Sequence, residues 1–154
     1  MSHWEPRKYK PVLRDSQQIR EYRAEHGFKK SMPDEPLMNN QAMLGFLRTV
    51  SADKWFTDRF GAVKYGVEFS GRRKCRAICN YQIARGFTLK FPGDGGMNYR
   101  LTALHELMHI VCRGQAHGAI YCSVLLQAVM HYMGIVAGRE LRHQFIIKMV
   151  DFGR

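Results

Sequence analysis

Two histidines with a glutamate between them form the part of the sequence best suited to chemistry, in the run His105-Glu106-Leu107-Met108-His109. Histidines four residues apart on a helix project from one face, so their ring nitrogens can converge on a single cation. A glutamate beside the first histidine is placed to accept a proton from a metal-bound water. The spacing therefore predicts a zinc hydrolase site with His105 and His109 as ligands and Glu106 as the general base.

A third ligand is needed, because a catalytic zinc ion normally has three protein ligands and an open position for water. His117 is the best candidate, since residues 114–116 are short enough to turn the chain back toward the first pair. Cys112 is an alternative, because it lies three residues after His109 on nearly the same helical face and thiolate binds zinc well. A more distant residue is the remaining alternative.

A hydrolase of this kind also needs a donor for the oxyanion that forms during attack on an amide. Several side chains near the motif or on later helices are of a suitable type. They are Tyr99, Arg113, Tyr121, His131 and His143.

Three stretches of the chain carry a resemblance to known proteins. They are residues 14–18 (RDSQQ) with 22–25 (YRAE), residues 104–109 (LHELMH) and residues 117–121 (HGAIY). The chain resembles a small family of metallohydrolases from actinobacteria and their phages and, more distantly, the SprT-like zincins. In both groups the paired histidines are followed by a helix that opens with His-Gly-x-x-aromatic, whose histidine is taken as the third ligand. Residues 133–153 also fit the family's terminal helix. The sequence departs at Ala119 and Ile120, where the family commonly has Pro-Glu.

The resemblance implies a zincin-like fold, one zinc ion held by His105, His109 and His117, and a protein or peptide substrate. In such enzymes an exposed sheet edge beside the metal can bind an extended peptide by strand addition. The sequence leaves open which strand forms that edge. SprT-like proteases act on proteins attached to DNA, so the resemblance is also compatible with nucleic-acid contact.

The patterning around the motif predicts a single α+β domain over residues 15–154, after a basic flexible arm over residues 1–14. We expect N-terminal helices, a small three-stranded sheet, the HExxH helix and two C-terminal helices. The predicted helices span residues 15–26, 40–50, 51–60, 99–112, 117–133 and 137–151, and the predicted strands span residues 63–69, 74–82 and 87–91. Asn98 is the expected N-cap of the HExxH helix, and Ser51 that of the third helix.

The net charge of +11, from 24 Lys and Arg against 13 Asp and Glu, suits a polyanionic partner. Candidate nucleic-acid contacts are Arg72, Arg73, Lys74 and Arg76, together with residues 7–10. A generally basic, solvated surface explains the same charge. The alternative function is a non-catalytic, metal-stabilised structural or nucleic-acid-binding protein, such as a phage virion component. Glu106 favours catalysis, because a structural site does not need a carboxylate beside its ligands.

The cysteine content and the N-terminus predict a cytoplasmic location, in the host cytoplasm or in a virion if the protein is phage-encoded. Four cysteines without a paired C-x-x-C pattern indicate free thiols in a reducing compartment, and residues 1–8 contain no apolar secretion signal. Residues 114–138 lack Asp, Glu, Lys and Arg, which is long enough to span a bilayer. Because polar residues interrupt this stretch and Gly134 breaks it, we expect a buried helix and no membrane partner.

Overall fold

The computed structural model describes residues 11–71, 76–93, 98–113 and 116–153. These residues form an α+β arrangement of six helices and one small sheet. The elements in chain order are α1 (Pro11–Ser31), α2 (Asn40–Ala52), α3 (Lys54–Phe60), β1 (Tyr65–Ser70), β2 (Ile78–Gln82), β3 (Gly86–Pro92), α4 (Arg100–Val111), α5 (Ala119–Met133) and α6 (Ile135–Ile147).

The first helix differs most from its predicted bounds. It begins at Pro11, so residues 11–14 are helical rather than part of a flexible arm, and it continues to Ser31. Proline is well suited to the first turn of a helix, because its missing N–H would have no helical partner there. Residues 1–10 of the predicted arm lie outside the described residues. Ser51, predicted to cap the third helix, lies inside α2 and donates a hydrogen bond to the carbonyl of Leu47 (2.8 Å).

The sheet has the strand order β1-β3-β2, with β1 parallel to β3 and β2 antiparallel to it. A tight hairpin joins β2 and β3, and Gly86 at its end has a φ of +72°, which glycine adopts without steric cost. The central strand buries Leu89 and Phe91 completely, whereas most of β2 is exposed. Among the described residues only β3 pairs with β2, so β2 is an edge strand of the sheet.

The helix that carries the histidine pair is buried on almost every side. Leu101, Leu104, Leu107 and Met108 are fully buried, so α4 runs through the core instead of lying on the surface. Asn98, the expected cap, instead donates a side-chain hydrogen bond to the carbonyl of Pro92 (2.6 Å). This bond ties the start of α4 to the end of β3, and Tyr99 occupies the N-cap position.

The uncharged stretch of residues 114–138 does not form one continuous helix. α5 ends at Met133, Gly134 takes a φ of +96°, and α6 begins at Ile135 and packs against α5. The two helices approach closely at Gly138, where an added Cβ would lie 2.1 Å from Cγ of Met130. Across the described ranges, no helix combines the length and apolar character needed to cross a membrane.

Candidate metal centre

Three histidine side chains from α4 and the turn before α5 converge at one point. Nε2 of His105 lies 3.2 Å from Nε2 of His109 and 3.2 Å from Nε2 of His117. The turn that brings His117 back includes Ala116, whose φ of +47° is left-handed. This conformation costs an ordinary residue about 1–2 kcal/mol, so the packing around the turn must offset that strain.

The spacing of the three nitrogens suits a tetrahedral metal ion. With metal–nitrogen bonds of about 2.0–2.1 Å, as for zinc, tetrahedral ligands lie about 3.3 Å apart. The three histidines form a group that could bind a metal ion, and His105 and His117 are both buried. Cys112, the alternative third ligand, is not part of this group, although it also lines the cleft onto which the histidines open. The donor set is thus three imidazoles.

A buried carboxylate from α1 holds the first of these histidines. Oε1 of Glu25 lies 2.5 Å from Nδ1 of His105, and Oε1 of Glu21 lies 3.4 Å from the same nitrogen. Both glutamates are at most 7% exposed. Burial acts to lower the pKa of His105, but the nearby Glu25 and Glu21 outweigh it and raise that pKa well above its usual value. A metal ion that binds Nε2 would therefore displace a proton, while Nδ1–H keeps donating its hydrogen bond to Glu25.

The two glutamates differ in charge although they are neighbours. Burial and the nearby Glu25 raise the pKa of Glu21 well above its usual value. Burial also acts to raise the pKa of Glu25, but the charge of His105, the proximity of Glu21 and the hydrogen bond from His105 outweigh it and hold that pKa at about 2. The pair therefore carries one negative charge, located on Glu25, beside His105.

Glu21, Glu25 and His105 also form a group that could bind a metal ion. The 2.5 Å separation between Glu25 and His105 is, however, that of a short hydrogen bond. Ligand atoms around one zinc ion would stand roughly 3.3 Å apart. We therefore interpret the two glutamates as an outer shell that orients His105.

Sequence reasoning missed both glutamates as site residues, although a signal was present. Glu21, Ala24, Glu25 and Phe28 recur at helical spacing, and all four are buried. Two carboxylates within an apolar stripe must find partners in the interior, because an unpaired buried charge is very costly. The local pattern could have indicated a buried charged pair on α1.

Glu106 lies beside the histidines and faces β2. Its Oε1 is 3.9 Å from Nε2 of His105, and the residue is 6% exposed. Burial raises the pKa of Glu106 to about 7, against the opposing effects of His105 and of a hydrogen bond from the backbone amide of Cys79. A carboxylate with a pKa near neutrality can both accept and return a proton.

His109 is the most accessible of the three histidines and is kept neutral. Burial lowers its pKa to about 3, with further lowering from the charges of His105 and His117. Its ring stacks on Tyr121, with ring centroids 4.5 Å apart. The hydroxyl of this buried tyrosine donates a hydrogen bond to the backbone carbonyl of His105 (2.9 Å). Tyr121 therefore contacts both His105 and His109. A neutral imidazole is the form that a metal ion requires.

The histidines and Glu106 open onto a cleft of about 890 Å³. Tyr22 of α1 forms part of its wall, with its ring 5.3 Å from that of His117 and 5.8 Å from that of His105. Gln18, which also lines the cleft, donates to the Tyr22 hydroxyl (3.2 Å). The lining residues are Gln18, Tyr22, Arg76, Ala77, Ile78, Cys79, Tyr81, Phe87, His105, Glu106, His109, Cys112, Arg113, Ala116 and His117.

Of the five oxyanion donors considered from the sequence, only Arg113 lines this cleft. The hydroxyl of Tyr121 is already used by the carbonyl of His105. His131 stacks on Trp55 and lies 3.3 Å from Asp53, outside the cleft lining. Tyr99 and His143 are not lining residues either. Tyr22, which the sequence did not single out for this role, is better placed than any of these four.

The predicted nucleic-acid contacts are only partly described. Arg72, Arg73 and Lys74 lie outside the described residues. Arg76 is exposed and lines the cleft, with its guanidinium 5.6 Å from the ring centroid of Tyr22. This arginine therefore belongs to the surroundings of the candidate metal centre.

Comparison of this chain with models of protein families, with curated proteins and with solved structures found no match.

Proposed function

We propose that this protein is a zinc-dependent hydrolase with a zincin-like arrangement, most specifically a metallopeptidase that cleaves amide bonds. The observation that carries the proposal is the convergence of three histidine Nε2 atoms beside the Glu106 carboxylate at the wall of an open cleft. His105, His109 and His117 would hold the ion. A purely structural zinc site usually has four protein ligands, whereas this donor set leaves one position for water or substrate.

Bound zinc would lower the pKa of a coordinated water to about 7 and polarise the carbonyl under attack. Glu106 accepts the proton of the attacking water and then donates it to the leaving nitrogen. Its burial supports this double role, because burial raises the pKa of the carboxyl group and so favours holding the proton until it passes to the leaving nitrogen. Glu25 keeps His105 in the tautomer and orientation that ligation requires.

The outer edge of β2 is the surface on which we place the substrate backbone. In the described part of the chain no strand pairs with this edge, and Ile78, Cys79 and Tyr81 of β2 all line the cleft. Cys79 and Glu106 both line the cleft, and β2 packs against α4, so this segment of the edge lies near the proposed base. An extended peptide added along β2 would bring its carbonyls to the histidines.

Tyr22 is the residue that we assign to stabilising the oxyanion. It reaches the cleft from α1, on the side of His105 and His117, and its hydroxyl is held by Gln18. A phenol O–H can donate a hydrogen bond to a developing negative charge.

Glu106→Gln tests the proposal against the non-catalytic alternative. We expect zinc content and melting temperature to stay at the wild-type level while hydrolysis of a quenched fluorescent peptide library falls by about 10²- to 10⁴-fold, the usual contribution of a general base. Glu68→Gln is the matched control, because Glu68 is an exposed carboxylate on β1 outside the cleft lining. An unfolded Glu106→Gln variant, or one with undiminished hydrolysis, would show that the carboxylate is not the base.

A further inference from the structure

Two arginines border the cleft at the two ends of β2. Arg76 precedes the strand by two residues, and Arg113 packs on Tyr81 and Phe87, which pair with each other near the strand's far end. At about 3.3 Å per residue, the five-residue strand between them is about 13 Å long. Cys79, which lines the cleft together with Glu106, lies within this span. The proposed reaction centre is therefore flanked by a guanidinium on each side.

Both guanidinium groups are held by aromatic rings rather than by acids. Cζ of Arg113 lies 4.6 Å from the ring centroid of Phe87, and Cζ of Arg76 lies 5.6 Å from that of Tyr22. Within the described ranges neither arginine has a carboxylate within 4.0 Å, and both are exposed. A guanidinium that contacts an aromatic ring still has N–H donors available for a carboxylate, which it can bind in a bidentate manner.

The cleft itself offers little to neutralise these cations. Glu106 is the only carboxylate among its described lining residues, and it faces the histidines. An adjoining recess of about 390 Å³ contains Lys29 and His26 as well as Arg76, with Glu25 already engaged by His105. The two arginines of the cleft therefore lack carboxylate partners among its described lining residues. The chain as a whole is also basic, with a net charge of +11.

We propose that the cleft selects peptides that carry a carboxylate within about three residues of the scissile bond. Three residues of an extended chain span about 10 Å. Arg113 and Arg76 are the recognising groups, one on each side of the bond. The inference rests on the proposed peptidase function, since it names the substrate class for that same cleft. The carboxylate is either an acidic side chain or the C-terminus of the substrate.

The test uses a set of matched peptides. One carries glutamate near its centre and an amidated C-terminus, one has glutamine in place of that glutamate, one has lysine, and one is neutral with a free C-terminal carboxylate. Binding is measured by fluorescence anisotropy with zinc-loaded Glu106→Gln protein, and cleavage by mass spectrometry with the wild type. We expect the glutamate peptide to bind about tenfold more tightly than the glutamine peptide, as for a hydrogen-bonded charged pair. Tight binding of only the free C-terminus would assign the arginines to the chain end.

Arg113→Gln, made in the Glu106→Gln background, should reduce the preference for the carboxylate to less than about threefold, a level typical of weak surface pairs. Arg142→Gln is the control, because Arg142 is also exposed and stacked on a ring, that of Phe152, but does not line the cleft. Equal binding of all four peptides would overturn the inference, and their equal cleavage would still support the peptidase. Selective binding without any cleavage would support the inference and count against the peptidase. Tighter binding of a single-stranded oligonucleotide than of any peptide, lost in Arg113→Gln, would also overturn it.

Discussion

Replacing Glu25 by Gln tests how much the outer shell on α1 contributes to the metal centre. The carboxylate lies 2.5 Å from Nδ1 of His105, and the residue is only 7% exposed. A buried hydrogen bond to a charged group contributes about 1.5–3 kcal/mol. At about 1.4 kcal/mol per factor of ten, this corresponds to a loss in affinity of roughly 10- to 150-fold. That range agrees with the losses of roughly 10- to 100-fold that are typical when a residue hydrogen-bonded to a metal ligand is replaced.

The assay is competition for zinc between the protein and a chromogenic chelator, with the melting temperature of the metal-free variant recorded to verify folding. Glu21→Gln is the matched control. Glu21 is the protonated member of the pair, because its pKa is raised well above the usual value by burial and by Glu25, so glutamine is nearly isosteric with it. We expect this control to keep zinc affinity close to that of the wild type. If Glu25→Gln binds zinc as tightly as the wild type, or if both variants lose affinity equally, the assigned charge distribution is wrong.

Three further predictions concern the third ligand, the oxyanion donor and the packing of the last two helices. His117→Ala should lower zinc content, measured by plasma mass spectrometry, well below the wild-type value of about one ion expected for a three-ligand site, whereas exposed His143→Ala should not. Tyr22→Phe should reduce kcat by about 10²-fold or more without a matching rise in KM, since one oxyanion donor is removed; an unchanged kcat would assign the tyrosine to packing alone. Gly138→Ala should destabilise the fold by about 1–3 kcal/mol, because the added methyl group would overpack against α5. Gly45→Ala should instead raise the melting temperature slightly, because Gly45 has open space around it. Thermal unfolding followed by circular dichroism distinguishes these two signs.

Local spacing was sufficient to place the central residues of the site. His105, Glu106 and His109 lie on one helix, so their relative positions depend on helical geometry alone. His117 could be predicted because only a short turn separates it from that helix. The number and order of the helices and strands followed from patterns of similar range, and the largest differences occur at the ends of α1 and at Ser51.

Contacts between segments that are distant in the sequence could not be predicted from local spacing. Glu25 and His105 are separated by 80 residues, and their contact depends on how α1 docks against the rest of the protein. The identity of β2 as the open edge depends on the strand order, which places the last strand of the three in the centre. Neither fact has a periodic signature in the sequence, because both arise from tertiary packing. The orientation of Arg113 toward Phe87 is of the same kind.

The position of α1 connects the metal centre to both ends of the described chain. Its outer-shell glutamates contact His105, while Gln17 and Arg20 on the same helix donate hydrogen bonds to the backbone carbonyls of Asp151 and Met149 (2.9 and 3.2 Å). A dication at three neutral histidines would find compensating charge on Glu25 and Glu106, in a protein that is otherwise strongly basic. Loss of α1 would therefore remove the main buried counter-charge of the site as well as apolar packing. An ion that binds only the folded chain stabilises the folded state, including the packing of α1 that brings Glu25 to His105. The N-terminal helix is therefore part of the candidate metal centre, although none of its residues is a proposed metal ligand.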